Sequence, residues 1–347
     1  MITRCYNQFI GRCIVIVGVL GILLVGTNTL LAGDSVSRPK VSAELYNHFD
    51  KNLRGKTVAF VPVLMGIPLT EAWAKVIKTQ CDTLGMKFVL RDPHADPGAA
   101  TQAISSLIIE KPDVIVVQND NMQLLAKLIK KAEKAGIYVI QINLSSRYTS
   151  SAYVGVDWYN LGQMMAEDIC KTSGTGSGKS GKVAIVQGMT TSSANIEQLQ
   201  GALSVFQKHP EIKIVSNQAA NWDPNKARDI TATVLKQHPD LSAIYSFWGI
   251  MALGSGHAVK EAGLQDKVLV YASGGGSQTI CENIETGIIN RYWNYNAPLQ
   301  GHDVMTAVKM VLQSGLKSGQ LKITLYSPLE LIIKENADNA CWKLPAK

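Results

Sequence analysis

Short apolar segments alternate with longer amphipathic ones along most of the chain, and this rhythm constrains the fold more than any other feature. The apolar segments, such as TVAFVP, are rich in Val and Ile and end at Gly, Pro or polar residues, as buried strands do. A helix between consecutive strands implies parallel pairing. In the first half, strands are predicted at 57–62, 87–90, 113–117 and 138–142, with helices at 68–84, 98–110 and 122–135.

The same rhythm then repeats, which predicts a second lobe of similar build. A chain of 347 residues is long enough for two separate cores. The predicted fold class is therefore α/β, with two doubly wound parallel-sheet lobes. In the second half, strands are predicted at 151–156, 183–187, 212–219, 243–247 and 268–273, with helices at 159–170, 194–208, 224–237 and 251–262.

Residues that directly follow the predicted strands are the candidate binding residues, because open α/β sheets bind ligands beyond the carboxyl ends of their strands. These positions are rich in amides and tryptophans and poor in His, Cys and Lys. Aromatic rings cover the apolar face of a sugar, and amides or carboxylates match its hydroxyls. The predicted ligand-binding residues are Thr70, Trp73, Gln118, Asn119, Asn143, Asp157, Trp158, Trp222, Trp248 and Gly275.

Five tryptophans lie at or near strand ends or the returning crossover, and their clustering favours a sugar site. The alternative for each is an indole packed beneath a loop. The five are Trp73, Trp158, Trp222, Trp248 and Trp293.

Two glycine-rich segments do not have the spacing of nucleotide sites. In GTGSGKSGK (174–182), Ser173 stands where a phosphate loop needs its first Gly, and the segment follows a helix rather than a strand. SGGGS (273–277) lacks the dinucleotide spacing, although its backbone could approach a ligand. No cofactor is predicted.

Metal binding, catalysis and nucleic-acid binding are not expected either. The six histidines are scattered without metal-ligand spacing, and no Ser or Cys nucleophile is paired with a convincing base. The formal net charge of +7 comes from lysines spread over predicted helix surfaces rather than gathered on one face. The chain is predicted not to be an enzyme, and to be a monomer with no metal.

The N-terminus has the pattern of a secretory signal. Arg4 and Arg12 precede or flank the apolar run 14–25, and small residues follow up to Ala32, near which cleavage is predicted. The run is short for a membrane span, so a retained signal anchor is the alternative. Asp34 stands where a lipoprotein would have Cys. The predicted location is the periplasm, with residues 1–32 as signal peptide.

The cysteines allow one disulfide in an exported protein, because that compartment is oxidising. Two of them, Cys5 and Cys13, would leave with the leader, and no CxxC pair is present. The favoured pair is Cys281 with Cys341, which would tie down the tail, although sequence alone does not fix connectivity. The cysteines that would remain after cleavage are Cys81, Cys170, Cys281 and Cys341.

The order of several segments resembles the type I periplasmic sugar-binding proteins, the ribose- and galactose-binding group. The likeness covers about residues 55–335 and includes KPDVIVVQND, KAGIYVIQIN, YVGVDWYNLG, QAANWDPNKA and ETGIINRYWNYNAPLQG. It implies two lobes joined by a three-crossing hinge, closing over one solute that an ABC transporter permease then receives. The implied lobes are 55–150 plus about 290–318, and 151–289 plus about 319–335, after a polar segment 33–54 and before a tail 336–347.

The resemblance also implies roles for particular residues and shows departures from the usual pattern. Its position-by-position match places Tyr295 or Asn296 near the polar contacts of the site, so both are added to the predicted ligand-binding residues. The same match supports Gln118, Asn143, Trp222 and Trp248. Trp248-Gly249 replaces a usual Asn-Asp pair, Gly274–Gly276 replaces a usual Asp, and a usual Arg near Gln198 is absent. The expected pocket is less charged and more aromatic, which suits a sugar, polyol or deoxy sugar.

The expected function is capture of such a solute for import. A signal-sensing protein on the same fold, acting for an autoinducer-like ligand or a chemoreceptor, is the alternative. A sugar-responsive repressor is disfavoured, because no basic helix-turn-helix precedes Thr57.

Overall fold

The computed structural model describes residues 38–343, within which the strands form two six-stranded sheets. The chain divides at residue 45, and both sheets lie within residues 46–347. The strands are β1 (Thr57–Val61), β2 (Lys87–Leu90), β3 (Val114–Val117), β4 (Tyr138–Ile142), β5 (Ala152–Gly155), β6 (Lys182–Gln187), β7 (Lys213–Ala219), β8 (Ala243–Ser246), β9 (Leu269–Gly274), β10 (Arg291–Asn294), β11 (Ile323–Tyr326) and β12 (Glu330–Ile332).

Helices connect most consecutive strands. The helices are α1 (Lys40–Leu53), α2 (Pro68–Thr83), α3 (Pro97–Glu110), α4 (Ala126–Lys134), α5 (Trp158–Ser173), α6 (Ser193–Phe206), α7 (Pro224–Gln237), α8 (Gly249–Glu261), α9 (Gln278–Glu285), α10 (Ala297–Gln313) and α11 (Ala337–Ala340). The segment 33–54, predicted only as polar chain, therefore contains a helix. The helix predicted at 122–135 begins at Ala126, after a stretch of turns.

The first sheet has the order β11-β5-β4-β3-β1-β2, and all of its pairs are parallel. The second has the order β12-β10-β9-β8-β6-β7, with one antiparallel pair, β10 with β12. The inner strands β3 and β8 are buried at every residue, as expected for parallel strands covered on both faces. The predicted α/β class with two lobes is confirmed.

The chain crosses between the sheets three times, but the strands at each crossing differ from the predicted boundaries. The strands β5 and β11 were predicted in the second lobe and pair in the first sheet, while β10 was predicted in the first lobe and pairs in the second. A strand belongs to the sheet that supplies its hydrogen-bonded neighbour, which an apolar pattern does not reveal. The register Gln141↔Tyr153, for example, fixes β5 beside β4.

Helix caps fix the backbone at the carboxyl ends of the strands. Asp157 accepts a hydrogen bond from Asn160 N at 3.0 Å and caps α5, and Asp223 caps α7 through Asn225 N at 2.8 Å. Asn296 accepts from Leu299 N at 3.1 Å and caps α10. Each cap is the chain neighbour of a predicted binding residue, namely Trp158, Trp222 or Tyr295. Capping therefore also fixes the backbone from which these aromatic side chains project.

The described residues include most of the C-terminal tail but not the predicted signal peptide. Cys281 and Cys341 form the disulfide that the sequence suggested, with Cα atoms 6.0 Å apart. The predicted signal peptide, its cleavage near Ala32, and Cys5 and Cys13 lie outside the described residues. Among residues 38–343, no helix is both long and apolar enough to span a membrane.

Candidate functional site

A cavity lies where the carboxyl ends of the two sheets face each other. Its volume is about 100 Å³, which is room for several water molecules. Its lining residues come from both lobes: Val63, Leu64, Ile67, Leu69, Gln118, Asp120, Asn143, Leu144, Trp158, Ala194, Gln198, Trp222, Phe247, Trp248 and Tyr295.

Two edge-to-face aromatic pairs form much of the wall. In the second lobe, the Trp222 and Trp248 rings have centroids 6.1 Å apart at an interplanar angle of 87°. At the crossings between lobes, Trp158 and Tyr295 are 5.8 Å apart at 80°. Such pairs contribute about 0.5–1.5 kcal/mol beyond the area that they bury. Each ring is therefore held in the wall by its aromatic partner.

The Trp222 indole lies on Gly188, the residue after β6. A Cβ built on Gly188 would overlap the Cζ3, Cη2 and Cε3 atoms of that indole. Trp222 also has a left-handed backbone, with φ of 66°, which aims its side chain back over β6. Only glycine leaves space for the ring in this position.

Asn143 connects the hinge aromatics to the core. Its main-chain carbonyl accepts a hydrogen bond from Trp158 Nε1 at 2.7 Å, and its Oδ1 accepts from Gln300 Nε2 at 3.2 Å. Burial raises the pKa of Tyr295, so that hydroxyl stays neutral. The Trp158 N–H is thus already satisfied, so this residue contributes the apolar part of its ring to the cavity lining.

Few polar groups face the cavity, and its two glutamines are each partly engaged. Gln118 Oε1 accepts from Val63 N at 3.0 Å, which leaves the Gln118 amide N–H groups for a solute. Gln198 Nε2 donates to Tyr245 Oη at 3.2 Å, which leaves its Oε1 as an acceptor. Burial raises the pKa of Asp120, the one acidic residue among the described lining residues.

The described lining contains no Lys, Arg or His. A carboxylate or phosphate transferred into this cavity would lose its hydration without gaining a counter-charge, which costs several kcal/mol or more. The chemistry of the wall therefore favours an uncharged solute with an apolar face.

The structure brings together half of the residues predicted from sequence. Those that line the cavity are Gln118, Asn143, Trp158, Trp222, Trp248 and Tyr295.

The other predicted site residues lie outside the described lining. Thr70 and Trp73 are fully buried in α2. Trp73 Nε1 donates to Gln300 Oε1 at 3.1 Å, and Gln300 in turn donates to Asn143, so Trp73 reaches the lining only through Gln300. Asn119 is fully buried without a hydrogen-bond partner for its side chain, and Gly275 lines a neighbouring pocket. The caps Asp157 and Asn296 turn to their helices. Trp293 stacks on Tyr271 inside the second lobe, as the packing alternative proposed.

Most of the lining residues that the site prediction omitted are apolar. No chemical signal distinguishes such residues from core, although several lie within three residues of a strand end, as Leu64 and Leu144 do. They are Val63, Leu64, Ile67, Leu69, Leu144, Ala194 and Phe247, together with the polar Asp120 and Gln198.

Hydrogen bonds join the two lobes beside the cavity. Met122 N in the first lobe donates to Thr191 O in the second at 3.0 Å. Ser145 N donates across the same boundary to Ser193 Oγ at 2.9 Å. The lobes are therefore in contact over the cavity, which is a closed arrangement.

Reactive groups are sparse in the part of the chain that the structure describes. It contains no cluster of three or more His, Cys, Asp or Glu suited to a metal. Burial raises the pKa of Cys81 to about 12 and that of Cys170 to about 11, so neither is a thiolate at neutral pH.

The chain is similar to known proteins in both sequence and fold. The family profile of the periplasmic binding protein domain matches residues 58–317. The chain is 33% identical to the D-allose-binding periplasmic protein of Escherichia coli K12 over 155 residues, which are 42% of this chain and 49% of that protein. It is 24% identical to a ribose import binding protein of Bacillus subtilis over 213 residues, 61% of this chain and 68% of that one. The matches thus span about half to two thirds of these relatives.

Solved structures share the fold. An ABC transporter periplasmic solute binding protein from Actinobacillus succinogenes with bound D-allose superposes with a TM-score of 0.71 at 24% identity, covering 82% of this chain and 99% of that one. A Caulobacter myo-inositol binding protein bound to myo-inositol gives 0.72 at 22% identity, covering 82% and 95%.

Proposed function

The chain belongs to the periplasmic binding protein family, and from that premise we propose that it captures a small uncharged sugar or polyol by closure of its two lobes. The observation that carries the proposal is the pair of edge-to-face aromatic contacts beside free amide groups in one interlobe cavity. Aromatic rings suit the C–H face of a sugar ring, and amides suit its hydroxyls.

The wall narrows the class of solute. Its aliphatic and aromatic side chains outnumber its polar ones, and its described part has no cation. We expect uncharged solutes with an exposed C–H surface, such as sugars, deoxy sugars or polyols, to bind better than uronic acids or sugar phosphates, because the described lining has no cation to pair with a charged group. The sugars named for the relatives, D-allose and ribose among them, are starting candidates.

Delivery to an ABC transporter permease completes the proposal. The names of the relatives as periplasmic and import binding proteins support export of this chain and a role in binding its solute rather than in catalysis. Cleavage near Ala32, with removal of residues 1–32, and the monomeric state stay predictions from the sequence. Closure would distinguish loaded from empty protein, because solute contacts both lobes only when they meet.

A thermal-shift and calorimetric panel tests this function. The panel contains D-allose, D-ribose, D-arabinose and myo-inositol, together with D-galactose and D-galacturonate as a matched neutral and charged pair. At 100 times its Kd, a solute that binds only the folded protein stabilises it by about 2.7 kcal/mol. We expect an uncharged member to raise Tm and galacturonate to leave it unchanged. A shift with no uncharged solute, or a preference for galacturonate, would overturn the proposal.

A further inference from the structure

The C-terminal tail lies on the glycine-rich loop that follows β9. Trp342 N donates to Gly276 O at 3.1 Å, and Trp342 Nε1 donates to Gly275 O. An isolated parallel bridge joins Ser277 to Trp342. The first of these hydrogen bonds belongs to that bridge, so the tail adds two hydrogen bonds to a loop whose residues Gly275 and Gly276 have no side chains to hold it in place.

This loop is a contact between the lobes. A Cβ built on Gly275 would meet Leu69 Cδ1 at 2.8 Å and Ala297 Cβ at 2.9 Å, so the Gly275 backbone lies directly against α2 and the start of α10. Ala297 N donates to Gly275 O at 3.0 Å. The Gly275 carbonyl therefore accepts one N–H from the crossing and another from Trp342.

A small pocket places Trp342 behind the solute cavity. Its volume is about 30 Å³, and its lining includes Trp342 together with Ile67, Leu69 and Trp248. Those last three residues also line the solute cavity. Trp342 therefore lies on the far side of a wall that the solute would touch.

A covalent bond and a hydrogen bond fasten the tail at this place. The disulfide joins Cys341, the neighbour of Trp342, to Cys281 on α9, the helix that the loop leads into. Asn294 Nδ2 in β10 donates to Ala340 O at 3.4 Å.

We propose that Trp342, fastened by the Cys281–Cys341 disulfide, is a positioning residue of the solute site. It acts through the Gly275 carbonyl and through Trp248, and it stabilises the closed arrangement in which Leu69 packs on the loop. This inference rests on the proposed function, since it concerns how long a solute stays bound.

The test compares three variants of the full mature chain. Trp342→Phe retains a ring but removes the Nε1–H donor, and Cys281→Ser/Cys341→Ser releases the tail. Asn336→Ala is the matched control, because it removes two other hydrogen bonds of the C-terminal region, those with Ile333 N and Leu331 O, away from the loop. The probe is whichever of D-allose, D-ribose, D-arabinose or myo-inositol gives the largest thermal shift with the wild type.

Stopped-flow tryptophan fluorescence measures the association and dissociation rates of that probe. We expect Trp342→Phe to dissociate about 3- to 10-fold faster, the equivalent of one lost hydrogen bond, and the double serine variant at least as fast. Association should change little, because the contact forms on closure. A purely structural role would lower Tm in all three variants and leave the dissociation rate alone.

A second measurement does not depend on any solute. The Gly276 amide, which donates to Tyr292 Oη at 3.2 Å, should exchange its hydrogen about 10-fold faster in Trp342→Phe and at the wild-type rate in Asn336→Ala. Wild-type dissociation and exchange rates in both tail variants would overturn the inference. A wild type that binds no probe would instead overturn the proposed function, and the exchange rates would still decide whether Trp342 positions the loop.

Discussion

Replacing Gly188 by alanine tests whether the Trp222 ring forms the solute wall. The added methyl would overlap three atoms of the indole, and carbon atoms in contact need about 3.5–4.0 Å, so the ring must retreat by about 1 Å or more. Gly188 is not among the residues with positive φ, so alanine is compatible with its backbone. The effect should therefore pass through the indole alone.

The size of the effect follows from what the ring would lose. A displaced indole loses its edge-to-face contact with Trp248, which lowers the stability of free and solute-bound protein alike. It also loses a ring contact with the solute, worth about 0.5–1.5 kcal/mol. Only the second loss enters the affinity, so we expect Gly188→Ala to weaken binding by about 0.5–1.5 kcal/mol, or roughly 2- to 13-fold.

Isothermal titration calorimetry with the best uncharged probe measures that loss, in a double-mutant cycle. If the methyl acts through Trp222, then Gly188→Ala should cost nothing further in a Trp222→Ala background. Gly98→Ala is the control, since a Cβ there meets only Asp96 Oδ1, at 3.1 Å, in the first turn of α3. Wild-type affinity in Gly188→Ala, or additive losses in the cycle, would refute the reasoning.

Three further changes have distinct expected outcomes. Trp222→Ala should weaken binding about 10-fold or more while far-UV circular dichroism stays native, because the ring is only partly buried. Asp120→Asn should remove one pH dependence of the folding stability. Because burial raises the pKa of Asp120 in the folded protein above its ordinary 3.8, the free energy of unfolding of the wild type falls as the pH rises from 3.8 through the folded pKa. Denaturant titrations over this pH range should show no such fall in the variant. Cys281→Ser/Cys341→Ser should lower the free energy of unfolding by about 4 kcal/mol, because the disulfide closes a loop of 60 residues in the unfolded chain. Reductant should destabilise the wild type by a similar amount and leave the variant unchanged.

Hydrophobic periodicity predicted the strands and helices because each is a local pattern in the sequence. It did not predict which sheet β5, β10 and β11 join, because that depends on pairing between strands distant in the chain. The prediction of β2, β4 and α7 matches the observed bounds, since apolar runs and a Pro-led start are legible within a few residues. The sheet that receives β5 or β10 depends on distant neighbours, so the lobe boundaries were wrong at the crossings.

The strand-end rule predicted part of the site for a similar reason. It selects Trp158 and Trp73 alike, yet Trp158 begins its helix and faces the cavity while Trp73 lies one turn further along α2 and points into the core. Phe247 and Ala194 line the cavity because β8 lies beside β6 in the sheet, which sequence does not show.

The two aromatic pairs differ in their position relative to the hinge: one lies within the second lobe and the other at the crossings. Trp222 and Trp248 both belong to the second lobe, so their contact survives any movement of that lobe as a body. Trp158 starts the helix after the first crossing, and Tyr295 lies on the second crossing itself, so their contact spans the hinge. Asn143, at the end of β4 in the first lobe, accepts the Trp158 N–H and is fixed in turn by Gln300 on α10. A solute in contact with Trp158 therefore touches the crossing segments, whose geometry changes when the lobes move. Solute binding at Trp158 is for this reason coupled to lobe closure.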